Sequence, residues 1–84
     1  MQLFSNAKKA KNKLIDARKN EILEYEFNAR NYELMLAMVG DDAELQAFKE
    51  HLQGLLASTK LELRKAQIIL QATMVNELEL PRGE

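Results

Sequence analysis

The sequence predicts an all-α fold, an antiparallel helical hairpin built from two long helices. Three Gly and one Pro among 84 residues supply too few turns for a β-sandwich or barrel. The one strong break inside the chain is the run Gly40-Asp41-Asp42. Apolar residues repeat with a heptad-like spacing on both sides of that break, which is typical of helices packed side by side.

We expect a single helical-hairpin domain over residues 1–84, with a first helix at about 5–39, a turn at 40–42, a second helix at about 42–80 and a short C-terminal tail at 81–84. Ser5 is a favourable N-cap for the first helix. Pro81 is expected to stop the second helix near Leu80. Because the connection is so short, the two helices must fold back on each other.

The residues of the turn predict how the first helix ends and how the second helix begins. Gly40 suits the left-handed backbone position that follows a helix. Asp41 is expected to cap the second helix, and Glu44 completes the capping-box pattern three residues later. These acidic side chains also lie at the positive end of the second helix dipole.

Each helix carries a seam of residues expected to face the other helix. On the first helix the predicted seam is Ile15, Arg18, Ile22, Tyr25, Ala29, Tyr32, Leu36 and Val39. On the second helix it is Leu45, Phe48, Leu52, Leu55, Thr59, Leu63, Ala66, Leu70 and Met74. The second pattern departs from strict heptads toward its end, which predicts straighter packing there.

Folding about the centre of the turn pairs residues whose numbers add up to about 81. Leu36 is then opposite Leu45, and Ala29 is opposite Leu52. The same rule places Tyr25 opposite Leu55 or Leu56 and Ile15 opposite Ala66. Arg18, the polar residue in the first seam, falls opposite Glu62 and is expected to fix the register.

Both helices also carry a second apolar stripe, which a two-helix hairpin cannot bury. On the first helix the stripe is Leu23, Phe27, Leu34 and Met38, with Met35 beside it, and on the second it is Ala57, Leu61, Ile68, Ala72 and Val75. This surplus predicts self-association, most simply a two-fold dimer that forms a four-helix bundle or a coiled-coil assembly. The predicted interface residues are Ile22, Tyr25, Phe27, Tyr32, Leu36, Leu52, Leu55, Ile68 and Ile69.

Charge is unevenly distributed along the chain, although the formal net charge is only −1. Residues 1–20 carry six basic side chains and one acidic one, whereas residues 21–84 carry six basic and twelve acidic ones. Candidate anion contacts in this basic segment are Lys8, Lys9, Lys11, Lys13 and Lys19. The segment either solvates a helix end or binds nucleic acid as an arm.

The residue types give no pattern typical of an enzyme, and we expect no catalytic site, cofactor or metal. His51 is the only histidine, and the chain has no Cys, no phosphate-binding loop and no Ser–His pair. The acidic residues are explained by capping and by solvation of exposed faces.

The expected function is therefore a small protein–protein interaction module, such as an oligomeric adaptor, an assembly chaperone or an accessory subunit of a phage or bacterial complex. The alternative is a nucleic-acid-binding hairpin dimer that uses the basic segment. No apolar run approaches the length of a membrane span, and we expect a cytoplasmic protein. In architecture the hairpin resembles the Rop type of hairpin dimer and the small helical-hairpin chaperones of bacterial secretion systems.

Overall fold

The structure is a computed structural model that describes the backbone of residues 2–77 and the side chains of residues 8–77. Within that range, helix α1 covers Gln2–Val39, a short 3₁₀ helix covers Ala43–Leu45 and helix α2 covers Gln46–Val75. α1 and α2 pack against each other in an elongated shape with principal extents of 64 × 20 × 14 Å. The prediction of an all-α helical hairpin is confirmed.

The outer ends of the two helices differ from the predicted ones. α1 already includes Ser5, so this residue is not its N-cap. α2 ends at Val75 and not near Leu80, because Asn76 takes extended backbone angles (φ −73°, ψ 112°). Asn side chains compete for backbone hydrogen bonds and are well suited to helix ends. The predicted tail at 81–84 lies outside the described residues.

The turn confirms the expectation for Gly40 and corrects the one for Asp41. Gly40 has the left-handed angle φ +59°, and its N–H donates to the carbonyl of Leu36 at 3.2 Å. Asp42 caps the 3₁₀ helix, because its carboxylate accepts from the N–H of Glu44 at 2.9 Å, whereas α2 begins after Leu45 with no side-chain cap. The chain turns to extended backbone one residue later than expected, so the cap moves from Asp41 to Asp42 and the predicted capping box does not form.

The predicted seam of α1 is confirmed by burial. Its members are buried or half-buried at alternating steps of three and four residues: Ile15, Arg18, Ile22, Tyr25, Ala29, Tyr32, Leu36 and Val39. Lys11 continues the same pattern toward the N-terminus. This spacing is that of a left-handed coiled coil, in which every seam side chain faces the neighbouring helix.

The seam of α2 differs from the predicted one at both ends and at one middle position, where Leu56 takes the place of Leu55. Its buried or half-buried members are Lys49, Leu52, Leu56, Thr59, Leu63, Ala66, Leu70 and Thr73. Leu45, Phe48 and Met74 are exposed, so the predicted drift from heptad spacing is wrong. The hydroxyl of Thr73 donates to the carbonyl of Ile69 at 2.7 Å, which satisfies a polar group at a half-buried seam position.

The observed register corrects the predicted helix pairing. When Val39 lies opposite Lys49, each seam residue of α1 down to Ile15 has a seam residue of α2 at the same level, and Ile15 lies opposite Thr73. Contacts across the hairpin agree, because Lys49 Nζ donates to the carbonyl of Gly40 at 3.3 Å. At the other end, Lys11 Nζ donates to the carbonyl at the end of α2 at 2.8 Å.

The register shifts because α2 begins only after the 3₁₀ helix Ala43–Leu45, which moves the centre of the fold toward the C-terminus. The predicted pairs Leu36–Leu45, Ala29–Leu52, Tyr25–Leu55 or Leu56, and Ile15–Ala66 are therefore wrong. So is the pair Arg18–Glu62. Arg18 instead pairs with Glu21 on its own helix at 2.9 Å. Glu62 pairs with Lys65 at 3.2 Å.

The fully buried core is narrow. Among the described residues, only Ala29, Val39, Leu52 and Ala66 are buried, and Leu52, 2% exposed, is the one large side chain that is completely enclosed. The alanines are small enough to be enclosed between two helices, whereas most of the larger seam residues, with Leu52 and Val39 as the exceptions, keep one side open. Two helices alone therefore leave most of the apolar surface of this chain accessible.

Substitution by alanine should change the free energy of unfolding in opposite directions at the two internal glycines. Gly40→Ala should lower the free energy of unfolding by about 1 kcal/mol, because φ +59° is strained for a residue with a Cβ atom. Gly54→Ala should raise it by about 1 kcal/mol, because Gly54 lies within α2 and a Cβ there meets nothing within 4 Å. Urea denaturation followed by circular dichroism measures both changes. A Gly40→Ala variant as stable as the wild-type chain would show that Gly40 is not a required left-handed turn position.

Candidate interaction surfaces

The side of α1 that points away from α2 carries four exposed apolar side chains, here called the α1 ridge: Leu23, Phe27, Leu34 and Met38. Phe27 is 70% exposed and Met38 is 83% exposed. Successive members are four, seven and four residues apart, which keeps them on one face of a helix. Since the seam lies on the opposite face, α1 is apolar on two sides and α2 covers only one of them.

α2 has a similar outer surface, here called the α2 ridge, which consists of Leu61, Ile68 and Val75. These residues are spaced by seven, and the small side chains of Ala57 and Ala72 lie exposed beside them. Ile68 is 69% exposed, nearly the same as Phe27 on the α1 ridge. The second stripes that the sequence predicts are thus both present as exposed surfaces.

The two ridges lie at different levels along the hairpin. With Val39 opposite Lys49, Phe27 is level with Leu61. The α1 ridge therefore occupies the half of the hairpin that contains the turn. The α2 ridge begins at the level of Phe27 with Leu61 and continues through Ile68 and Val75 into the other half, which contains the outer ends of both helices and is here called the open half.

The two edges of the seam also differ. On one edge, Glu33 and Lys60 form an ion pair across the two helices at 3.8 Å, and the neighbouring exposed side chains of Glu26, Gln53 and Gln67 are polar. The other edge is mainly apolar, with the half-buried or exposed side chains of Leu14, Met35, Phe48, Leu55 and Ile69. The polar edge therefore favours exposure to water, whereas the other edge exposes apolar side chains.

The predicted interface residues fall into three groups in the structure. Leu52 is already buried between α1 and α2. Ile22, Tyr25, Tyr32, Leu36 and Leu55 are half-buried at the seam or its apolar edge. Phe27, Ile68 and Ile69 are exposed. The structure therefore leaves these last three residues, and the open sides of the second group, accessible to a partner.

The five lysines predicted as anion contacts do not share one environment. Lys8, Lys9, Lys13 and Lys19 are exposed and have no ion pair among the described residues. Lys11 is half-buried, and its ammonium group donates to the backbone carbonyl of Asn76. Lys11 is therefore a structural contact, and the other four form an unpaired basic surface on the open half.

Lysines from the neighbouring helix stabilise the C-terminal ends of both helices. Neither α1 nor α2 has a basic residue in its own last turn, where a cation would interact favourably with the helix dipole. Lys49 of α2 supplies this charge for α1, because its Nζ lies 3.3 Å from the carbonyl of Gly40 and 4.0 Å from Asp41 Oδ1. Lys11 of α1 supplies it for α2. Sequence reasoning missed this role of both lysines, although the lack of basic residues in either last turn was a usable signal.

Charge separates along the length of the rod. Residues 8–20 and 68–77, which form the open half, carry six basic and two acidic side chains, a net charge of +4. Residues 21–67, which form the half with the turn, carry five basic and nine acidic side chains, a net charge of −4. Asp41, Asp42 and Glu44 are exposed at the acidic end. The hairpin is therefore a charge-segregated rod.

Other candidate sites remain weak. His51 is exposed, and in the described part of the chain no three His, Cys, Asp or Glu side chains are grouped closely enough to hold a metal ion. Over the same residues, neither helix is both long and apolar enough to cross a bilayer. The surfaces that distinguish this hairpin are the two ridges, the apolar edge and the basic lysines.

Comparison with known proteins finds no family model, no curated protein and no solved structure that matches this chain.

The capping role of Lys11 is testable against its neighbour Lys13. Lys11→Met should lower the free energy of unfolding by about 0.3–1 kcal/mol at low salt, because it removes a cation from the C-terminal end of α2. The effect should shrink in 1 M salt, where the charge is screened. Lys13→Met is the control, since Lys13 is exposed and makes no such contact. Equal losses in the two variants, measured by urea denaturation, would contradict this role.

Proposed function

We propose that this hairpin is a non-enzymatic protein–protein interaction module that works as an oligomer, as an adaptor, an assembly chaperone or an accessory subunit of a larger complex. The observation that carries the proposal is the pair of exposed apolar ridges on opposite outer sides of the hairpin. Contiguous exposed apolar surface on a small protein is typical of interaction sites.

The size of the hairpin supports the same conclusion. Over residues 2–77, which the structure describes, the hairpin consists of two packed helices, and no third layer covers the outer side of either one. Small domains of this kind commonly gain the missing burial through association. A second copy of the chain is the simplest source of it, and a two-fold dimer would provide four helices.

Self-association is tested by sedimentation velocity on the wild-type chain between about 1 and 100 µM, a range that detects dissociation constants typical of modest interfaces. The expected result is a species of twice the chain mass of 9.7 kDa, which dissociates as the protein is diluted. A chain that stays monomeric across the whole range would contradict the proposal.

A second candidate function, nucleic-acid binding, is favoured by one observation, the unpaired exposed side chains of Lys8, Lys9, Lys13 and Lys19 on the open half. Lysines spaced along a helix can contact successive phosphates. The acidic half of the rod opposes this function, because its net charge of −4 repels a polyanion beyond the basic end. We therefore rank this candidate below the protein-interaction module.

The two candidates are separated by titrating labelled nucleic acid at physiological salt. We expect no submicromolar binding to duplex or single-stranded probes, because only four unpaired lysines are available and the rest of the rod is acidic. The matched variants are Lys8, Lys9, Lys13 and Lys19→Gln together, and Arg64→Gln with Lys65→Gln as the control on α2. Submicromolar binding that falls steeply with salt and is lost only in the first variant would establish the nucleic-acid function.

A further inference from the structure

We infer that the α1 ridge is the contact surface for the α1 ridge of a second copy, with the two helices antiparallel. This inference rests on the proposed function, and it specifies which surface associates and in which orientation. The resulting dimer has the two α1 helices in its middle and one α2 helix on each outer side.

The geometry of α1 requires a neighbour on each side. Its seam faces α2, while Leu23, Phe27 and Leu34 project from the opposite face. In a square four-helix bundle formed by stacking two hairpins on their seam edges, this opposite face would remain in water. Only a helix that packs directly against the outer side of α1 covers the ridge.

The side chains on the ridge fit an antiparallel copy of themselves. When Leu23 lies level with Leu34 of the second copy, Phe27 lies level with Arg30 of the second copy, and both pairs occur twice by symmetry. Arg30 is exposed and has no ion pair among the described residues, so its guanidinium is available. An Arg guanidinium over a Phe ring is a favourable cation–π contact.

Charge favours the antiparallel orientation over the parallel one. At the level that pairs Leu23 with Leu34, the part of α1 that carries Lys13 and Lys19 runs alongside the turn end of the other copy, where Asp41, Asp42 and Glu44 are exposed. The open half of each copy, with net charge +4, therefore meets the half of the second copy that carries the acidic turn, with net charge −4. A parallel pair would place the two acidic turns, with Asp41 and Asp42, next to each other and would repel.

Charge also favours the α1 ridge over the α2 ridge. The basic lysines Lys13 and Lys19 belong to α1, so only a contact through α1 brings them directly against the second copy. An antiparallel contact through the α2 ridge would be centred near Ile68. It would place Arg64 and Lys65 level with the uncharged residues Ala72 and Gln71 of the second copy, so it would gain no complementary charge.

The surface is tested by a matched pair of substitutions, Phe27→Gln and Ile68→Gln. The two residues are exposed to nearly the same extent, 70% and 69%. Phe27 lies next to the two-fold centre between residues 28 and 29, and Ile68 is the middle residue of the α2 ridge. Phe27→Gln should weaken dimerisation roughly tenfold or more, because every dimer loses two buried phenyl rings. Ile68→Gln should change it less than about twofold, since that ridge stays outside the contact. A loss confined to Ile68→Gln would overturn the inference.

The orientation is tested by spin-label distance measurements, which the absence of Cys makes simple. Single labels are placed at Asn31→Cys on α1, Gln71→Cys on α2 and Asp41→Cys in the turn. At 1.5 Å per residue and 8–10 Å between helices, the expected separations are below about 20 Å for Asn31, above about 40 Å for Gln71 and near 40 Å for Asp41.

The outcomes separate the inference from the proposal on which it rests. A short distance at Gln71 with a long one at Asn31 would place the contact on α2, and a short distance at Asp41 would make the dimer parallel. Either result overturns the inference and leaves self-association intact. A wild-type chain that stays monomeric in sedimentation would overturn both.

Discussion

The structure depends on the limit that a two-helix hairpin sets on burial. Each helix can present only one face to the other, and here that contact buries four side chains among the described residues, two of which are alanines. Close packing of small residues brings the helices together but contributes little buried apolar area per residue. The remaining apolar side chains lie on half-open or outer surfaces. The same limit on burial between two helices therefore explains both the narrow core of the folded hairpin and the apolar surface that is left for association.

Electrostatic contacts at both ends of the hairpin complement this narrow core. Lys49 and Lys11 each reach across to the carbonyl end of the opposite helix, one at the turn and one at the open half. They agree with a single register, the one in which Val39 lies opposite Lys49. A shift by one heptad would separate both lysines from their carbonyls, so the caps favour the observed alignment over its neighbours. Individually such exposed contacts are weak, and their value here lies in selecting the register.

Much of the fold follows from features that are local in sequence. The left-handed position of Gly40 and the seam of α1 were predictable, because a glycine before acidic capping residues and a strict heptad pattern each depend on a short stretch of chain. The exposed ridges were predictable for the same reason, as apolar residues left over once the seam is assigned.

The features that depend on both helices together could not be predicted from the sequence alone. The register moved because the chain inserts a 3₁₀ helix before α2, and for the same reason the acidic cap at Asp42 belongs to that 3₁₀ helix and not to α2. The end of the α2 seam at Thr73 and the role of Lys11 were also hidden, since each becomes visible only when the opposite helix is in place. Arg18 illustrates the point, because its partner is Glu21 on the same helix and not an acid across the hairpin.

If apolar burial between copies completes the core of this hairpin, its stability must depend on protein concentration. The most direct measurement is the urea midpoint of unfolding, followed by circular dichroism at about 2 µM and about 200 µM, because a folded state held together by association gains stability by mass action. The midpoint should rise clearly at the higher concentration. A midpoint that is the same at both concentrations would show that the narrow two-helix core is sufficient by itself, and that the exposed ridges contribute nothing to the folded state.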